Sequence, residues 1–302
     1  MPTAWTFPNT ARHGIKRRTT TPRRGPLQHL TCIPRPSIAL LALSSLSSLS
    51  PNPSSETMAS NPPAKCCTVA VKHEGKPTGS IEKVGGIESY VAYPADKSTE
   101  NAVLILTDIF GHEFNNSQLI ADEYAANGYY TVVPDLFNKN PVPAQMPEGF
   151  DLMAWLQNHL VQHVEPIVQS VVKALRADKG TKRVGGVGYC FGAKYVVRAL
   201  QPGNIDVGFV AHPSFVDADE LKAIQGPLSI AAAETDDIFP APKRRESEDI
   251  LVGIKATYQL NLFSGVEHGF AVRGDVSKKH VKFAKEQAFY QAVAWFDEYL
   301  KA

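Results

Sequence analysis

The chain has 302 residues, 43% of them hydrophobic, and a formal charge of +1. That is enough apolar material for one large domain or two small ones. The basic charge is concentrated in residues 1–57, where Arg12, Lys16, Arg17, Arg18, Arg23, Arg24 and Arg35 face a single acid, Glu56; the rest is mildly acidic, which gives no reason to expect a nucleic-acid partner.

Residues 1–60 are rich in Ser, Thr, Pro and Arg and lack an amphipathic period, so a disordered leader is expected there rather than a domain. Residues 37–50 are apolar but too short to span a bilayer and too far from the start for a secretory signal, so no membrane association is expected. Two readings of the leader compete. An Arg- and Ser-rich, acid-poor segment fits an organelle transit peptide and a mitochondrial location, whereas translation starting at Met58 would give a cytoplasmic protein. The four cysteines, Cys32, Cys66, Cys67 and Cys190, show no zinc-ligand spacing; they fit a reducing compartment with Cys190 as a free thiol.

In the body, residues 65–302, strands and helices alternate. Residues 87–93 alternate in polarity and read as a strand near a sheet edge, and residues 101–109 form an apolar run suited to a central parallel strand. Residues 116–127 read as a helix closed by Gly128, and residues 129–133 as the next strand. Residues 137–149 look like a proline-rich loop, followed by helices over 151–163 and 165–177. Strands follow over 182–189, 205–211, 227–233 and 256–263, with helices between them and a closing helix over 278–300. The alternation predicts an α/β fold with a mostly parallel central sheet and helices on both faces. In such sheets the site lies at the carboxyl ends of the strands.

The strand over 182–189 ends in Gly188-Tyr189-Cys190-Phe191-Gly192, and a helix-like run follows. This is the G-x-S-x-G nucleophile elbow with cysteine in place of serine. The turn lifts the sulfur above the sheet, beside a helix N-terminus where a thiol ionises more easily. A buried, inert cysteine in a glycine-flanked turn is the plainer alternative. Asp236 and Asp237 follow the strand over 227–233, and His268 follows the strand over 256–263. Nucleophile, acid and histidine thus come in α/β-hydrolase order. Asp237 suits a helix cap, and His212, also just past a strand, is a rival base. His268 is favoured because the triad histidine comes after the last strand. Asp108 ends the first buried strand and would face Cys190, while the backbone N–H groups of Ile109 and Phe191 would pair as an oxyanion hole.

Asp108-Ile109-Phe110-Gly111, Gly188-Tyr189-Cys190-Phe191-Gly192, Ala233-Glu234-Thr235-Asp236 and His268-Gly269-Phe270 with Arg273 together resemble the dienelactone hydrolase family of α/β-hydrolases, notably its fungal members. The resemblance implies a Cys190–Asp236–His268 triad that hydrolyses an enol-lactone such as a carboxymethylenebutenolide, with neither cofactor nor metal. It offers Asp108 as a gate on the thiol and Arg273 as a ligand for the substrate. Asp108 stands where bacterial members place a glutamate, and Arg273 follows the histidine one position later than their arginine. The expected partner is a small lactone or ester; the sequence leaves the oligomeric state open. Two alternatives remain: a hydrolase or thioesterase of a secondary-metabolite pathway on the same fold, or a non-catalytic small-molecule binder.

Overall fold

The computed structural model describes residues 58–62, 71–201 and 204–301. The expectations for residues 1–57, and for Cys66 and Cys67, lie outside the described residues.

In chain order the elements are β1 (Ser80–Val84), β2 (Ile87–Ala92), β3 (Asn101–Leu106), α1 (Asn115–Ala126), β4 (Tyr130–Pro134), α2 (Leu152–Gln157), α3 (Val161–Asp178), β5 (Arg183–Tyr189), α4 (Gly192–Ala199), β6 (Val207–Ala211), α5 (Ala218–Lys222), β7 (Leu228–Thr235), α6 (Ala241–Gly253), β8 (Tyr258–Glu267), α7 (Phe270–Arg273) and α8 (Lys279–Tyr299). The strands form one sheet in the order β1-β2-β4-β3-β5-β6-β7-β8. β2 runs antiparallel to β1 and to β4, and every pair from β4 onward is parallel. This is the mostly parallel α/β sheet that the alternation predicts, and the α/β-hydrolase fold that the resemblance implies.

Successive residues of a strand point to opposite faces, and β5 shows how closely the helices approach. A Cβ on Gly185 would press on Phe296 and Leu300 at the end of α8, and one on Gly186 would press on Val196 of α4. α8 and α4 therefore lie on opposite faces. α1 shares the α8 face, where the rings of Tyr124 and Phe289 lie 4.8 Å apart. α3 shares the α4 face, where Arg198 donates to Glu165 at 2.6 Å. Register then aligns the carboxyl ends of the central strands. Leu106 pairs with Gly188, and Tyr189 with Ala211, so the loops after β3, β5 and β6 emerge side by side. No described helix is long and apolar enough to cross a membrane.

Three features depart from expectation. β1 was not anticipated; it is mostly exposed and joins β2 through Gly85 and Gly86, both at positive φ (60° and 80°), which a two-residue hairpin turn requires. It puts β2 one place in from the sheet edge. The first of the two predicted helices ends at Gln157 rather than 163, and α3 begins at Val161 rather than 165. Pro166 lies inside α3. Finally, Met58–Asn61, whose first three residues are read above as the end of the leader, packs against the body. Met58 bridges Asp217, Ser60 N–H donates to Val216 O at 3.0 Å, Asn61 N–H donates to Ile238 O at 2.8 Å, and Ala59 and Ser60 are buried.

Candidate active site

The elbow begins with backbone geometry. Cys190 lies at φ 50°, a left-handed conformation that a non-glycine residue holds only where its surroundings impose it. Those surroundings are specific. The Cys190 N–H donates to Ala211 O at 3.2 Å, and its carbonyl accepts from Ala193 N–H and Ser214 N–H, both at 3.1 Å. The two flanking glycines are sterically required: a Cβ on Gly192 would collide with the Leu106 carbonyl, and one on Gly188 with the Cα of Ala193. The thiol is fully buried, with Sγ 3.6 Å from Ser214 Oγ. Ser214 was not anticipated, because a serine in a loop carries no distinguishing signal.

His268 sits in the turn after β8, and its Nδ1 lies 2.9 and 3.0 Å from the two carboxylate oxygens of Asp236. Asp236 is itself fixed, because its Oδ1 accepts from the N–H groups of Ile238 (2.8 Å) and Phe239 (2.9 Å). Asp237 is exposed. Burial alone would lower the His268 pKa. The nearby Cys190 sulfur in its charged form, the hydrogen bond to Asp236 and the Asp236 charge outweigh it and raise it to about 9. The imidazole is thus held by Asp236 and favoured in its charged form.

Asp108 and Arg273 approach from the other side. Asp108 Oδ2 accepts from Arg273 Nη1 at 3.1 Å, and Oδ1 accepts from Phe110 N–H at 3.1 Å. Burial pushes the Asp108 carboxyl up to about 6, with the Arg273 charge opposing and the Cys190 charge adding to the rise. The guanidinium fits only because Gly269, at φ 91°, has no Cβ; a side chain there would overlap it. Ile109 and Phe191 each directly follow a site residue, and among the described residues neither N–H donates to a loop, cap or side-chain acceptor. Two such donors beside a thiol can stabilise a negative oxygen.

His212 is also at the site, its ring centroid 5.0 Å from that of His268, but Asp236 is bonded to His268 and not to His212. One group among the described residues has metal-ligand spacing, Glu88, His112 and Glu113, but Lys139 Nζ already lies 2.9 Å from Glu88 Oε2.

A sequence model of the dienelactone hydrolase family matches residues 87–300. The chain is 55% identical to Hydrolase pyvD of Aspergillus violaceofuscus over 81% of its own length and 100% of that protein. It is 36% identical to Dienlactone hydrolase 1 of Gibberella moniliformis, covering 78% of this chain and 93% of that one. Among solved structures, a putative dienelactone hydrolase from Klebsiella pneumoniae superposes with a TM-score of 0.59 at 16% identity, over 76% of this chain and 97% of the other; that likeness speaks for the fold.

Proposed function

The chain belongs to the dienelactone hydrolase family and is a hydrolase of ester or lactone bonds, and on that footing we propose that Cys190 is its nucleophile, His268 its general acid and base, and Asp236 the group that orients the histidine. The observation that carries this is the Asp236–His268 bond of 2.9 Å beside a buried cysteine held at φ 50° on a strand-to-helix elbow. The thiolate adds to the acyl carbonyl, and the oxygen that becomes negative is met by the Ile109 and Phe191 N–H groups. Collapse breaks the carbon–oxygen bond, and the His268 imidazolium protonates the departing oxygen. Water, deprotonated by His268, then attacks the thioester and frees Cys190.

Cys190→Ala and His268→Ala test this against cis-dienelactone, an aryl ester and an acyl thioester. Each should lose nearly all turnover while keeping the wild-type circular dichroism. Wild-type turnover in Cys190→Ala leaves the non-catalytic reading of Cys190 in place.

A specific observation favours a neutral ester or lactone over a carboxylate-bearing one. The Arg273 guanidinium is almost fully buried and already bonded to Asp108. A substrate carboxylate would have to reach a guanidinium that is buried and already neutralised by Asp108, whereas a neutral substrate needs no such access.

A further inference from the structure

His212 is held under two unfavourable conditions at once. Its backbone lies at φ 39°, which is disfavoured for any residue with a Cβ. Its side chain is fully buried, and neither ring nitrogen has a hydrogen-bond partner among the described residues. A buried polar group without a partner is costly, and a phenylalanine or leucine would fill the same space without that cost. Packing therefore gives no reason for an imidazole here.

Position supplies one. His212 follows Ala211, whose carbonyl receives the Cys190 N–H, and precedes Ser214, whose N–H donates to the Cys190 carbonyl. Its ring meets His268 edge-on, with Phe270 at 5.8 Å and Tyr189 at 6.1 Å. Burial, then the positive charges of His268 and Arg273, push its pKa well below the usual histidine range; its own carbonyl opposes this but is not in hydrogen-bonding geometry. The ring is accordingly neutral at pH 7, with one nitrogen donating and the other accepting. A neutral imidazole is a poor rival base beside His268, and a good ligand for a group that both donates and accepts.

We propose that His212 is a substrate-contacting residue whose imidazole hydrogen-bonds a hydroxyl or keto group carried close to the carbonyl under attack. The substrate class is then a hydroxylated or oxo-substituted ester or lactone. This assignment rests on the reading of Cys190 and His268 as the reactive pair.

The test is a specificity ratio. Phenyl butyrate, phenyl 2-hydroxybutyrate and phenyl 3-hydroxybutyrate are hydrolysed by the full chain, by His212→Phe and by His212→Gln. The wild type should favour at least one hydroxylated ester over the plain one by about tenfold in kcat/KM, the size of one neutral hydrogen bond. His212→Phe should bring that ratio close to one, and His212→Gln, which keeps a donor and an acceptor, should retain part of it. The melting temperature of His212→Phe should equal or exceed that of the wild type. A wild type without hydroxyl preference overturns the assignment. So does a His212→Phe enzyme that keeps the ratio while losing rate on all three esters, since His212 would then act through His268. Should His212→Phe not fold, His212→Leu replaces it and is read in the same way. Cys190→Ala should hydrolyse none of the esters; activity there means the reactive pair is wrong, and the assignment falls with it.

Discussion

Asp108 and Arg273 neutralise each other inside the molecule. Their charged atoms lie 3.1 Å apart, and the side chains are 0% and 2% exposed, across 165 residues of chain. Breaking a buried pair by removing one partner costs about 3–5 kcal/mol, because the other charge is left unpaired. Asp108→Asn and Arg273→Met should each lower stability by about that much in urea melts, and the double variant by clearly less than the sum. Additive losses would show that the two charges do not support each other.

The same aspartate sets a pH dependence. Its folded pKa is raised from the usual 3.8 to about 6, so the folded state binds its proton more tightly than the unfolded one. That contribution is present below the unfolded pKa and is lost as pH rises through about 6. Wild-type stability should therefore carry a falling component between roughly pH 4 and 6, and Asp108→Asn should remove it. An unchanged profile in Asp108→Asn would assign the component to another group.

Asp236→Asn should cost far more activity than Asp237→Asn, since Asp236 is bonded to His268 and Asp237 is exposed. The expected loss in kcat is about 10²- to 10³-fold, less than in serine triads because a cysteine needs less help from its base. The fold should survive, because an asparagine oxygen can still accept from the Ile238 and Phe239 N–H groups. The reverse ranking would move the acid to Asp237.

Much of this arrangement is legible in the sequence because strand ends are. The apolar runs of β3 and β5 are unbroken, and their boundaries place Asp108 and Cys190 at the same edge of the sheet. The elbow is legible because its glycines answer to backbone contacts that no other residue tolerates. The pairing of Asp108 with Arg273 is not, because nothing local connects residues so distant in the chain. β1 escapes notice because its side chains are mostly exposed and leave no alternating pattern. Met58–Asn61 escapes for a different reason. It is held largely by backbone hydrogen bonds, which any composition can make, and its composition is that of the leader.

That short segment carries a prediction of its own. It joins Phe215 and Val216, in the loop that presents His212 and Ser214, to Ile238, next to the loop residue Asp236. A chain beginning at Met58 should match the full-length protein in melting temperature and turnover. A chain beginning at Pro62 forfeits several buried hydrogen bonds of about 1 kcal/mol each, so its melting temperature should fall by on the order of 10 °C. Equal melting temperatures for the two shortened chains would show that the segment adds nothing.

The proposed pair of Cys190 and His268 carries a pH signature. His268, raised to about 9, contributes stability that is fully present below the unfolded histidine value and is lost as pH rises through about 9. If the imidazolium is paired with a Cys190 thiolate, as the proposed mechanism requires, the iodoacetamide rate at Cys190 should be nearly flat from about pH 6 to 8, where a free thiol gains roughly tenfold per unit. A tenfold slope per unit would mean that no such ion pair exists.

The most direct test of Cys190 as nucleophile is to catch the acyl group on it. Rapid acid quench of the full chain during turnover of a slow aryl ester, followed by peptide mass spectrometry, should find the acyl mass on the peptide containing Cys190, and none in Cys190→Ala. An acyl group on Ser214 instead, or a burst of phenol with Cys190 unmodified, would contradict the account.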